Sequence, residues 1–165
     1  QTYAADGRIP VTMASWDGQY RNSYLTVRAN VIYGHVGNTA AVNGKNNKLP
    51  GASPYSRLLP VAKNSLSYGA EIGFNLRNVT GVKKMPVIYP FARYEYYNPQ
   101  EEVIARQGPD DREKVGMWTA GLNWKALPNL VFKADYTTRK IGGDKYNSEN
   151  EFAIGVAYVG WFWSK

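Results

Sequence analysis

Hydrophobic and polar residues alternate along much of this chain, and residues 65–77 show the pattern most clearly. One face of that stretch carries Leu66, Tyr68, Ala70, Ile72, Phe74 and Leu76, and the other carries Ser65, Ser67, Gly69, Glu71, Gly73, Asn75 and Arg77. A period of two residues predicts a β-strand with one apolar and one polar face. Soluble sheets use strands of about five or six residues, whereas a tilted membrane-spanning strand needs roughly 9 to 11. The stretch is therefore long enough to span a membrane.

The same alternation recurs elsewhere in the chain, with a weaker example at the start. The further predicted strands are residues 8–16, 25–33, 88–97, 115–125, 130–139 and 151–163. Pro86 and Pro90 weaken the segment at 88–97, because proline has no N–H to donate to a ladder. The pattern predicts an all-β chain with about seven or eight antiparallel strands.

The connections between these strands alternate in length. Short connections are predicted at residues 17–20, 78–83 and 126–129, and long ones at residues 37–59, 98–112 and 141–150. Outer-membrane barrels have tight periplasmic turns and longer extracellular loops. The order therefore predicts an antiparallel transmembrane β-barrel with residues 17–18 and 127–129 at its periplasmic rim. Bacterial barrels have an even number of strands, so a count of seven indicates either a further strand in the first residues or, as we favour, the carboxyl-terminal part of a larger barrel.

Under this orientation the aromatic residues form two groups, as membrane interfaces favour. The lower group is Trp16, Phe74, Trp124, Trp161 and Trp163, and the upper group is Tyr33, Tyr68, Tyr94, Tyr96 and Tyr136. A single aromatic residue in a strand usually reflects packing alone, so only the collective placement supports a membrane.

Composition is consistent with a barrel wall as a single domain over residues 1–165. The mean hydropathy is −0.46 although aromatic residues make up 14% of the chain, which fits strands with only one apolar face. The longest uncharged run near the end, residues 152–164, is shorter than the roughly 18 residues of a spanning helix. The absence of cysteine excludes disulfides and thiolate chemistry.

Charged residues on the polar faces of the strands are the candidate functional residues. The predicted pore-lining set is Arg28, Glu71, Arg77, Arg93, Glu95, Lys125, Lys133, Asp135 and Arg139. If this face lines a lumen, its basic excess favours anions, as rings of Lys or Arg do in channels. The alternative is that these charges pair between neighbouring strands and fill a closed interior.

Other chemistry has weaker support, and we expect neither an enzyme nor a cofactor. The carboxylates among these cations should stay ionised, which suits salt bridges better than acid–base catalysis. His35 lacks a recognisable triad, and Asp110, Asp111 and Glu113 do not match the spacing of a calcium loop, so no metal site is expected. Nucleic-acid binding is disfavoured because the cations and the exposed aromatic rings lie on opposite faces.

The part of the chain from residue 89 to residue 165 resembles the carboxyl-terminal strands of porin-like outer-membrane barrels of Bacteroidota. The matching segments are PFARYEYYN from Pro90, WTAGLNW from Trp118, LPNLVFKADY from Leu127 and NSENEFAIGVAYVGWF from Asn147. The resemblance implies a bacterial outer-membrane location, contact with outer-membrane lipid and assembly by the barrel insertion machinery. Such barrels usually end on an aromatic residue, whereas this chain continues to Ser164 and Lys165.

The sequence therefore leads to two functional hypotheses. The first is a porin-like channel for passive diffusion of small polar, preferentially anionic, solutes. The second is a non-conducting structural or interaction subunit, in which the polar loop at residues 37–59 contacts another outer-membrane subunit. Periodicity does not decide whether the apolar face points outward to lipid or inward, as in a soluble lipocalin-like barrel. Pore size and solute identity depend on the total strand number, which the sequence leaves open.

Overall fold

The computed structural model describes residues 8–46, 60–105, 108–143, 147–158 and 160, and most of them lie in one antiparallel sheet. The strands are β1 (Val11–Arg21), β2 (Leu25–Val36), β3 (Asn64–Phe74), β4 (Val87–Glu102), β5 (Val115–Leu127), β6 (Leu130–Ile141) and β7 (Ser148–Tyr158). Each strand pairs with the next along the chain, so the spatial order is the sequence order. The all-β class and the antiparallel pairing are confirmed, and the described residues contain seven strands. Within the described residues β1 and β7 do not pair with each other, and the sheet is open.

The first turn lies further along the chain than the sequence suggested. Asp17 and Gly18 are not in a turn but inside β1, where they pair with Asn30 and Ala29. The turn is built instead by Asn22, whose side-chain oxygen accepts from the backbone N–H groups of Tyr24 at 2.8 Å and Leu25 at 2.7 Å. An asparagine that binds its own downstream backbone is a usual cause of a turn. The prediction of a turn at residues 17–20 is therefore wrong.

The connection from β3 to β4 also differs from its prediction. Strand β3 ends at Phe74 because Asn75 caps a short helix, α2 (Leu76–Thr80), which terminates at Gly81 in the left-handed conformation, with φ 71°. This connection spans twelve residues, as does the one from β4 to β5. The predicted short turn at residues 78–83 is wrong, while the connection between β5 and β6 is a two-residue turn as expected.

Strand β4 is longer than predicted because it continues through an irregularity at Pro99. Asn64 pairs with Glu102 and Leu66 pairs with Asn98, so β4 advances four residues where β3 advances two. A proline without an N–H fits such a bulge. The buried Asn98 accepts from the Gln100 N–H at 3.1 Å and donates to Glu101 at 2.8 Å. The bulge is thereby held by side chains instead of ladder bonds.

The described start of the long β2–β3 connection folds onto the adjacent end of the sheet. It contains a helix, α1 (Thr39–Asn46), in which Asn43 is 2% exposed. Asn43 donates to the carbonyl groups of Val61 at 2.9 Å and Ile104 at 3.0 Å, and accepts from the Val61 N–H at 2.8 Å. One side chain thus ties this connection to the one between β4 and β5. No helix in the described part of the chain has the length and apolar character needed to cross a membrane.

The sheet is a single layer without an apolar core. Among the described residues, Val115 is the only buried hydrophobic residue. On the apolar face of the sheet, large side chains are exposed, including Trp16 at 59%, Trp118 at 58% and Ile154 at 77%. An ordinary domain buries such a face against a second layer. Here the apolar face has no second layer within the described residues.

The aromatic residues follow the predicted two groups only in part. Phe74 and Trp124 lie near the end of the sheet that carries the β1–β2 and β5–β6 turns. Trp16 does not, because it pairs with Val31, which in turn pairs with Tyr68 towards the opposite end. Trp161 and Trp163 lie outside the described residues. The predicted upper group contains a contiguous cluster, in which Tyr68, Tyr94 and Tyr96 contact one another or Trp118 with ring centroids 4.7 to 6.2 Å apart.

Candidate functional site: a basic concave face

A large concave space lies on the polar face of the sheet. Its volume is about 620 Å³, and six consecutive strands, β1 to β6, contribute to its lining. One cavity touches six neighbouring strands only if the sheet curls around it. The lining residues are Arg21, Thr26, Arg28, Glu71, Gly73, Tyr89, Phe91, Arg93, Asn123, Lys125, Val131, Lys133 and Asp135. The polar face is therefore concave and the apolar face convex.

Strand register brings these residues together from distant parts of the sequence. Arg28 pairs with Glu71, and Glu71 pairs with Arg93 on the next strand. Lys133 pairs with Asn123, and two residues along the same strands Asp135 pairs with Gly121. Since paired residues point to the same face, the charges of β2 to β6 meet across one surface. Six of the nine predicted pore-lining residues, Arg28, Glu71, Arg93, Lys125, Lys133 and Asp135, line this cavity.

A loose ion network occupies the β2–β4 side of the cavity. Glu71 lies between two guanidinium groups, with an oxygen 4.0 Å from Arg28 Nη1 and another 4.0 Å from Arg93 Nη1. Arg93 Nε approaches Glu95 Oε2 at 3.1 Å, although this nitrogen forms no aligned hydrogen bond. The side chains involved are between 26% and 59% exposed, where ion pairs contribute little free energy. The network orients the arginines without closing the space in front of them.

Among the described lining residues, the β5–β6 side carries two lysines without an ion pair, Lys125 and Lys133, beside a single carboxylate, Asp135. Within the described residues, neither Lys125 nor Lys133 forms an ion pair, and both side chains are exposed. The whole lining contains five cationic and two acidic side chains. A concave wall with one sign of charge in excess concentrates ions of the other sign. This surface can attract an anion electrostatically.

The other three predicted residues lie around the cavity. Glu95 forms the ion pair with Arg93 described above and lies two residues beyond Arg93 along β4. Arg139 lies towards the end of the sheet near the β6–β7 connection, where its Nη1 is 3.0 Å from Glu149. Arg77 is in α2, not on a strand, and contributes with Lys125 to a second depression at the end of the sheet with the short turns. The sequence placed Arg77 on the polar face of a strand because alternation continues past the true strand end at Phe74.

Sequence reasoning missed Arg21 in the lining. The turn predicted at residues 17–20 placed Arg21 after the end of the first strand. In the structure, Arg21 is the last residue of β1 and pairs with Thr26. A signal was present, because Ser15, Asp17, Gln19 and Arg21 alternate with less polar neighbours. Tyr89 and Asn123, which were left out of the set because they are uncharged, also line the cavity.

Polar groups outside the cavity are engaged with one another near the longer connections. His35 Nδ1 and Asn64 Oδ1 lie 2.7 Å apart, and the amide of Asn64 donates to Glu102, which also pairs with Lys63 at 2.7 Å. Asp110, considered above as a calcium ligand, is held by Arg112 through contacts of 2.6 to 3.1 Å. Among the described residues there is no group of three or more potential metal ligands.

Comparison of the chain with known protein families, with curated protein sequences and with solved structures gives no match in any of the three. The resemblance to porin-like barrels therefore stays a prediction from the sequence.

Proposed function

We propose that this chain forms part of the wall of a bacterial outer-membrane β-barrel, whose basic interior conducts small polar solutes and prefers anions. The observation that carries the proposal is the division of the curled sheet into two faces. The concave face holds the charges of the cavity, and most of the exposed large apolar side chains lie on the convex face, with exceptions such as Val11, Met13 and Ile32 on the concave face.

The convex face has the composition expected of a surface in contact with lipid. One row of paired residues crosses all seven strands as Tyr20, Val27, Ile72, Ala92, Ala120, Tyr136 and Phe152. This row contains no charge, and the rows beside it towards the short turns are equally apolar. A soluble monomer rarely exposes so large a contiguous apolar patch. Hydrocarbon would cover this face without any second layer of protein.

The curvature favours this arrangement over a soluble barrel of the lipocalin type. In a soluble barrel the apolar face is the inner one and water meets the polar face. Here the apolar face is convex, so closure with the same curvature would leave it outside. The proposal also requires the edges at β1 and β7 to pair, with each other or with further strands, because unpaired backbone groups are not tolerated in hydrocarbon.

Anion preference follows from the unbalanced lysines of the cavity. Lys125 and Lys133 line the cavity, and an anion passing there would find neither ammonium group paired with a carboxylate of the described residues. The expected result is that the protein produced from its complete gene conducts in planar bilayers and is permeated better by chloride than by potassium. The measurement is the reversal potential under a salt gradient.

The variant Lys125→Glu with Lys133→Glu should shift that reversal potential towards cation preference, because the charge excess of the cavity is reversed. A matched control is Lys83→Glu with Lys84→Glu, which changes the same charge in the β3–β4 connection outside the cavity lining. The control should retain anion preference. Equal shifts in both variants would contradict a role for this cavity. Silent bilayers with folded, inserted protein would favour the closed structural or interaction subunit.

A further inference from the structure

A separate groove lies on the convex face of the sheet, near the longer connections. Its volume is about 360 Å³, and its lining includes Tyr94, Tyr96, Lys114, Gly116, Trp118 and Lys140. The site is separate from the basic cavity because its strand residues lie on the opposite face of the sheet. No carboxylate is among its lining residues.

The groove exists because Gly116 interrupts a row of large side chains. Gly116 pairs with Tyr96 on one side and with Lys140 on the other. A Cβ atom at Gly116 would meet Tyr94 Oη at 3.4 Å and no backbone atom within 4 Å. The floor beside this gap consists of Tyr94 and Trp118, whose ring centroids are 4.7 Å apart. The result is an apolar slot next to two ammonium groups.

The two lysines are held at the end of the slot by backbone contacts. The carbonyl of Lys114 accepts from the Gly142 N–H at 2.8 Å, which joins the β4–β5 connection to the end of β6. Lys140 is at the last outward-facing position of β6 and pairs with Ser148. Within the described residues neither lysine forms an ion pair, and both are exposed. Two free cations beside an aromatic slot are complementary to an anionic headgroup with an attached chain.

The geometry points to a binding site for a phosphate-bearing lipid, in which Lys114 and Lys140 bind the phosphate and an acyl chain lies over Gly116 against Tyr94 and Trp118. This inference rests on the proposed function, since a lipid reaches the site only if the convex face meets the bilayer. The position of the groove along the strands agrees with a lipid headgroup at this level of the membrane. It lies where aromatic residues give way to charged ones, and such boundaries coincide with the headgroup region.

The test is native mass spectrometry of the protein in detergent, titrated with phosphatidic acid and with diacylglycerol of the same acyl chains. We expect phosphatidic acid to bind more tightly, and Lys114→Gln with Lys140→Gln to weaken it by about tenfold or more. Gly116→Leu should also weaken binding, because it fills the slot without touching either lysine. Lys83→Gln with Lys84→Gln removes the same charge at the opposite end of the sheet and should leave binding unchanged.

Equal affinity for the two lipids, or an equal loss in the Lys83 and Lys84 control, would overturn the inference. So would binding of inorganic phosphate alone as tightly as phosphatidic acid, since the site would then recognise the ion and not the lipid. Measuring the conductance of the same preparation distinguishes failure of the lipid site from failure of the proposed channel. Normal conductance without phosphate-dependent lipid binding removes the site alone, whereas lipid binding without conductance removes the channel.

Discussion

At the scale of single residues, the carboxylate of Asp110 depends on one neighbour, Arg112. The guanidinium donates to both carboxylate oxygens, and the Arg112 backbone N–H donates to Oδ1 at 3.0 Å. These hydrogen bonds, strengthened by the opposite charge, lower the pKa of Asp110 from 3.8 to about 2. They also start the 3₁₀ turn at Asp111–Glu113. Asp110 therefore acts as a cap for this connection, which is a role that the acidic residues alone did not reveal.

A pH titration tests this capping role. Because the pKa is lower in the folded turn, ionisation favours the turn; its contribution is complete above pH 3.8 and is lost as the pH falls through about 2. We expect a carboxyl NMR titration of Asp110 to have its midpoint near pH 2, and Arg112→Gln to return it towards 3.8. Asp110→Ala should speed amide exchange at Arg112, because it removes the oxygen that accepts from that N–H. A midpoint that does not move in Arg112→Gln would contradict the role of the guanidinium.

At the scale of strands, alternation predicted where the sheet runs but not where each strand stops. The interiors of all seven strands were found, because the two-residue period reflects two different environments on the two faces. Strand ends depend on local side-chain hydrogen bonds instead, as Asn22 and Asn75 show. Such caps involve single polar residues within otherwise regular patterns. This explains why the first turn and the end of β3 were misplaced, and with them Arg21 and Arg77.

The packing of β5 against its neighbours can be tested at Gly121. A Cβ atom there would lie 2.6 Å from the carbonyl oxygen of Ala134 and 2.9 Å from the ring of Phe91. Gly121→Val should therefore lower the free energy of unfolding by about 1 to 3 kcal/mol, the usual cost of overpacking. Gly155→Val is the matched control on the same face, since nothing lies within 4 Å of its Cβ position.

The free energies of both variants can be measured by denaturant titration with tryptophan fluorescence. We expect the control to change by no more than about 0.5 kcal/mol, as is usual for open surface positions. Equal destabilisation by the two substitutions would show that loss of glycine itself, and not the close approach of β4 and β6, determines the effect.

At the scale of the whole molecule, the sequence predicted two faces but not their curvature. The alternation shows that Leu122 and Asn123 point in opposite directions, yet which of them is inside depends on how six strands curl together. That curl arises from long-range pairing, which no local pattern contains. For the same reason the sequence grouped six residues of the cavity correctly without showing that they share one concave surface.

Leu122 and Asn123 provide the test of this arrangement in a membrane. The chain has no cysteine, so single substitutions Leu122→Cys and Asn123→Cys can each be labelled selectively. Both positions lie in β5, which is paired on both sides, but Leu122 is on the convex face at 44% exposure and Asn123 lines the basic cavity. In reconstituted bilayers a water-soluble maleimide should label Asn123→Cys and spare Leu122→Cys, because hydrocarbon excludes the reagent. Both should react after denaturation. Equal labelling in the bilayer would mean that water reaches the convex face, and the wall of a membrane barrel would then be the wrong description of this sheet.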